Sequence, residues 1–125
     1  MVYKHIVMWK FKEQHNGKSA LENARWMKEQ LEGLVGVVPE LLSAEVGISP
    51  ALEQAAAAQS NAAAADAAAV PAQAASGEYD ACLVSTFASP EALAAYKVHP
   101  KHKAISAYCK EARIKRLAFD WWSEE

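Results

Sequence analysis

The run Tyr96-Lys97-Val98-His99-Pro100-Lys101-His102 carries two of the four histidines in the chain, and a third, His5, stands in the opening segment. A neutral imidazole can take a proton from a carbon beside a carbonyl, and a phenol can donate to the oxygen that gains charge as the proton leaves. His102 and Tyr96 are groups of those two kinds. If Pro100 opens a helix, His102 falls in its first turn, where the dipole disfavours imidazolium and leaves the ring available as a base. His5 is then placed to orient the base or the substrate. Plainer roles stand beside these. Tyr96 can be a core residue with its hydroxyl at the rim, His5 a satisfied core histidine, and His99 a cap for the turn before Pro100. His15, in the polar stretch from Lys12 to Lys18, reads as surface. His99, His102 and His5 would supply three nitrogens to a metal, but Pro100 breaks the alignment and no carboxylate or cysteine stands at ligand spacing. No metal is expected.

Several elements must hold these groups. Residues 2 to 11 alternate, with Tyr3, His5, Val7, Trp9 and Phe11 on one face and Lys4, Ile6, Met8 and Lys10 on the other, as in a strand. From Ser19 to Val35, Leu21, Ala24, Met27, Leu31, Leu34 and Val35 recur at helical spacing, Gly36 reads as the stop, and Leu41 to Ile48 follows as a second strand. Tyr79 to Phe87 alternates as a third strand. Ser89-Pro90-Glu91 then starts a helix, which breaks near His99 before Pro100 opens a short second one through Ile105 and Tyr108. Arg113 to Trp122 is the last strand. Strand-helix-strand occurs twice, the pattern of an α+β, ferredoxin-like βαββαβ fold with a four-stranded antiparallel sheet and helices on one face. The other face would expose a large apolar patch, so a homodimer is expected.

The chain has 125 residues, 13 Lys plus Arg against 15 Asp plus Glu, and 52% hydrophobic residues, enough for one core. Residues 51 to 77 stand apart: 15 of the 27 are Ala. They read as an insertion in a single domain spanning 1–125, able to form a helix from Ser49-Pro50 to Val70-Pro71. Lacking a large apolar stripe, it is expected to pack poorly, as a tolerated low-complexity segment rather than a lid or partner-binding arm. The balanced charge gives no reason to expect nucleic acid or an anionic membrane as partner, and no long apolar run or signal sequence is visible. Cys82 and Cys109 are isolated and read as reduced thiols in a cytoplasmic protein. Gly-rich phosphate loops, nucleophile elbows and paired-cysteine motifs are missing, so no cofactor is expected.

Three segments together resemble the stress-responsive A/B barrel domain family, a set of dimeric ferredoxin-like α+β barrels. They are Lys4 through Lys12; Leu31-Glu32-Gly33-Leu34 through Glu45-Val46-Gly47; and Tyr79-Asp80 through Phe87 with Ala92-Leu93, Tyr96 and His99-Pro100-Lys101-His102. A distant relative in plants, olivetolic acid cyclase, closes a linear polyketide thioester by an intramolecular aldol condensation. The resemblance implies that its catalytic Tyr and His correspond to Tyr96 and His102, and its N-terminal His to His5. The residues themselves suggest that these three groups converge in a pocket between sheet and helices for a small, mostly apolar carbonyl compound, lined by Val7, Trp9, Leu83 and Phe87, with His99 beside it. Cyclase- or isomerase-like activity, cofactor-independent oxygen insertion, and a non-catalytic dimeric interaction module in stress remain alternatives at this point. A cavity filled by side chains, with Tyr96 and His102 pointing outward, would favour the last.

Overall fold

The computed structural model describes residues 1–60 and 78–124. Strand β1 (Val2–Phe11) alternates as the sequence requires, burying His5, Val7, Trp9 and Phe11 on one face. It lies inside a four-stranded sheet of order β4-β5-β1-β6, where β4 is Ser43–Ile48, β5 Ala81–Phe87 and β6 Arg113–Ser123. Every pairing is antiparallel, and the β1–β6 register sets His5 opposite Asp120 and Trp9 opposite Arg116. Because side chains alternate across a sheet, Asp120 and Arg116 share the face of His5 and Trp9.

Three helices bring apolar side chains to that face. α1 (Ala20–Glu32) supplies Ala24, Met27 and Leu31 to the core, α3 (Pro90–Val98) Leu93 and Tyr96, and α4 (Pro100–Ala112) Ile105, Cys109 and Ala112. The opposite sheet face carries Ile6, Met8, Leu117 and Phe119, with Phe119 64% exposed and Leu117 50%. α1 begins with a capping box. The Ser19 hydroxyl accepts from the Glu22 N–H at 3.1 Å, and the Ser19 N–H donates to the Glu22 carboxylate at 3.0 Å. It ends at Gly33 rather than Gly36, which instead holds a positive φ of 88° in the turn that follows. Glu32 then ties α1 to β4, accepting from the Val46 N–H at 2.8 Å and from Lys28 at 2.7 Å. These contacts hold its carboxyl below the usual carboxylate range, with Lys28 the larger cause.

Two local departures from the sequence reading have simple causes. Residues 12–19 contain a small hairpin, β2 (Gln14–His15) and β3 (Lys18–Ser19), turned by Asn16 and Gly17 at φ 56° and 74°. Buried Asn23 anchors it, donating to the His15 carbonyl at 3.2 Å and accepting from the Tyr108 hydroxyl at 2.6 Å. His15 is therefore half-buried, its ring 5.4 Å from that of Tyr108, and not a free surface group. The second departure is in α2 (Pro50–Ser60), which starts where expected but packs Leu52 against the core instead of standing off it. The rest of the helix expected to reach Val70-Pro71 lies outside the described residues. Asp80 is buried just ahead of β5. Its carboxylate accepts from the Phe11 N–H at 2.9 Å and from Lys10 at 3.2 Å, fixing the end of β1. Among the described residues no helix is long and apolar enough to cross a membrane.

Candidate functional site

A cavity of about 250 Å³ opens between the sheet and helices α1, α3 and α4. Its buried wall is His5, Val7 and Trp9 from β1, Leu83 from β5, Leu31 from α1 and Ile105 and Cys109 from α4. His102 enters from the first turn of α4. Ser106, Lys97, Lys110, Arg113 and Arg116 complete the lining and are the more exposed part of it.

Both imidazoles are held through the same ring nitrogen. His5 is 3% exposed, and its Nδ1 lies 2.5 Å from the Asp120 carboxylate. The His102 Nδ1 lies 3.1 Å from the Lys97 carbonyl. An ionised carboxylate and a backbone carbonyl can only accept, so each Nδ1 carries the proton. In the neutral ring the remaining lone pair is on Nε2. Burial lowers the pKa of both, and it outweighs the Asp120 contact that raises His5 and the carbonyl contact that raises His102. Each ring is thus a neutral base with one nitrogen uncommitted. The Lys97 carbonyl is open to His102 because the backbone turns extended at His99 and the Lys101 N–H donates instead to the His99 ring at 3.2 Å.

Tyr96 stands behind His102, its ring centroid 4.4 Å from the imidazole and 5.1 Å from Phe87. The side chain is fully buried, and among the described residues its hydroxyl has no hydrogen-bond partner. Burial raises the phenol pKa, so the group is a donor and not a phenolate. The sequence expectation of a hydroxyl at the rim is thereby corrected.

The Stress responsive A/B Barrel Domain family matches residues 3–65 and 66–123. The chain belongs to this family. Among solved structures, this A/B barrel chain is similar to a dimeric protein of unknown function with a ferredoxin-like fold from Bacteroides fragilis, at 20% identity and a TM-score of 0.70. That alignment covers 98% of this chain and 96% of that one. It is also similar to a hydroxynitrile lyase from Passiflora edulis, at 17% identity and a TM-score of 0.65 over 99% and 95% of the two chains. A Dabb family protein from Mesorhizobium loti aligns at 15% identity with a TM-score of 0.60, over 99% and 98%. No curated protein matches the A/B barrel sequence significantly.

Of the residues singled out in the sequence, the A/B barrel structure gathers His5, His102, Val7, Trp9 and Leu83 around one cavity. It does not bring Phe87 or His99 there. Phe87 faces the right side of β5 but lies packed against Tyr96, and His99 spends its Nδ1 capping α4. Tyr96 reaches the site only through the His102 ring. The sequence reading missed Asp120 and the four cations. Alternation put Asp120 and Arg116 on one face of the last strand, which is the signal available, but the pairing of residue 5 with residue 120 is a long-range register that no local pattern carries.

Proposed function

We propose that the cavity binds a small carbonyl compound and that His102, assisted by His5, moves a proton on the carbon beside the carbonyl, in cyclase- or isomerase-like chemistry. The observation that carries this reading is the pair of buried imidazoles in one cavity, each with Nδ1–H committed to an acceptor and Nε2 left as base. A neutral ring set by a fixed acceptor is the form a general base needs near neutral pH. Tyr96 supports the reading in a second way. Buried donors without partners are rare and cluster where chemistry is done, and this one lies against His102. That a chain of the same fold from Passiflora edulis is a hydroxynitrile lyase supports a catalytic role for the fold. The apolar wall of Val7, Trp9, Leu83 and Leu31 suits a mostly apolar ligand body.

The acting unit in this proposal is a homodimer of one domain that carries an insertion at about residues 51–77. The exposed Leu117 and Phe119, with Ile6 and Met8, form the face a second copy would cover, as the dimeric description of the Bacteroides fragilis neighbour suggests. Cys82 and Cys109 are free thiols, in keeping with a cytoplasmic setting.

The test has two parts. Mass spectrometry of small molecules released from the purified protein should find a carbonyl compound with wild type and not with the Tyr96→Phe, His102→Ala double variant. Nuclear magnetic resonance in heavy water should show deuterium entering the methyl group of 4-acetylbenzamide, with the rate at least tenfold lower in His102→Gln. Exchange at the same rate in both proteins would refute the assignment of His102 as base.

A further inference from the structure

The rim of the cavity has a composition that acid–base chemistry on a neutral ketone does not require. Lys97, Lys110, Arg113 and Arg116 all line it, and among the described residues no carboxylate does. Asp120, the acid that acts on Arg116, already accepts from His5. Among the described residues none of the four cations is in an ion pair. Lys97 and Lys110 occupy the last turns of α3 and α4, where the helix dipole favours positive charge, and that accounts for their position. It does not account for Arg116, which points from β6 toward the same opening. Arg113 and Arg116 lie close enough that the Arg113 charge, after burial, lowers the Arg116 pKa. The Lys97 and Arg116 charges add to burial in lowering both histidines, and both side chains line the same cavity. Like charges gathered at the mouth of a small, low-dielectric cavity repel one another, and an anion seated among them removes that cost.

We propose that the ligand of this cavity carries an anionic oxygen group, a carboxylate or a phosphate, held at the rim by Arg113 and Arg116 with Lys97 and Lys110 beside them, while its carbonyl end lies between His5 and His102. The inference rests on the carbonyl-compound reading above and adds the substrate class. Guanidinium is suited to the task because its fork of donors matches two oxygens of a carboxylate or phosphate at once. The cavity volume of about 250 Å³ confines the ligand to a compact molecule.

The test is calorimetric titration of the intact protein with 4-acetylbenzoate, 4-acetylphenyl phosphate and the neutral isostere 4-acetylbenzamide. Wild type should bind at least one anion tenfold or more tightly than the amide, and the tighter anion names the group. The Arg113→Met, Arg116→Met double variant should lose this preference and keep its affinity for the amide. His102→Gln should weaken the anion and the amide alike. Equal binding of all three probes to wild type would overturn the anion inference and leave the carbonyl-compound site standing. Anion binding that survives His102→Gln unchanged would also overturn it, since the anion would then sit outside the cavity. Failure of every probe to bind would overturn both the cavity reading and the inference built on it.

Discussion

Replacing Tyr96 by Phe should make the protein more stable and, under the proposed function, slower in proton exchange on a bound ketone. The hydroxyl is buried without a partner, and leaving such a group unsatisfied costs roughly 1–3 kcal/mol. The phenyl ring keeps the contacts with Phe87 at 5.1 Å and His102 at 4.4 Å, so little packing is lost when the oxygen goes. For a chain of 125 residues the unfolding entropy near the midpoint is about 0.26 kcal/mol/K, so a gain of about 1–2 kcal/mol corresponds to a rise of roughly 4–8 °C in Tm. Differential scanning calorimetry would read it, at one protein concentration because the Tm of the proposed dimer would depend on concentration. Deuterium exchange into 4-acetylbenzamide would be followed on the same samples and should slow. A Tm lowered by 4 °C or more would refute the reasoning, because it would mean that the hydroxyl already has a stabilising partner in the native protein.

Other perturbations test other parts of the structure. The folded-state pKa of His5 and of His102 lies below the ordinary 6.5, so the unfolded chain binds more protons around and below that value. Stability should therefore rise with pH up through 6.5 and fall as pH drops toward the folded values; urea midpoints at pH 7.5 and 5.5 should differ in that direction, and His5→Gln with His102→Gln should shrink the difference. Asp80→Ala leaves the buried Phe11 N–H without its acceptor and removes the Lys10 contact at 3.2 Å, and should cost about 2–3 kcal/mol in urea unfolding. Phe119→Glu places a charge on a side chain that is 64% exposed in the single chain, so the fold should survive while sedimentation shows the proposed dimer, present in wild type, shifted to monomer.

The sequence carried those parts of the fold that depend on local periodicity. Alternation in residues 2–11 and 81–87 identified the buried faces of β1 and β5, and Ser89-Pro90 and His99-Pro100 marked both helix starts, because these signals act over a few residues. The Asn16-Gly17 turn was equally local. Its flanking strands are two residues each and lack apolar alternation, so no strand period marks it. Site residues on those strands were legible as a face, which is how His5, Val7, Trp9 and Leu83 came out together. Phe87 shares that face but lies at the end of β5, where α3 covers it, and distance along a strand is not visible in alternation. The cationic rim is spread from Lys97 to Arg116 over two helices and a strand. Only the tertiary fold assembles it.

The break between α3 and α4 has a chemical consequence. In an unbroken helix the Lys97 carbonyl would take the Lys101 N–H, and His102 would have no backbone acceptor there. Pro100 cannot donate, His99 is extended and captures the Lys101 N–H, and the carbonyl is left to receive the imidazole proton. A rule about where helices end thereby writes the tautomer of a ring in the cavity. Pro100→Ala touches no cavity-lining side chain, yet by letting the helix run through it would free the ring proton to move from one nitrogen to the other. In this chain the base is set by a kink as much as by a histidine.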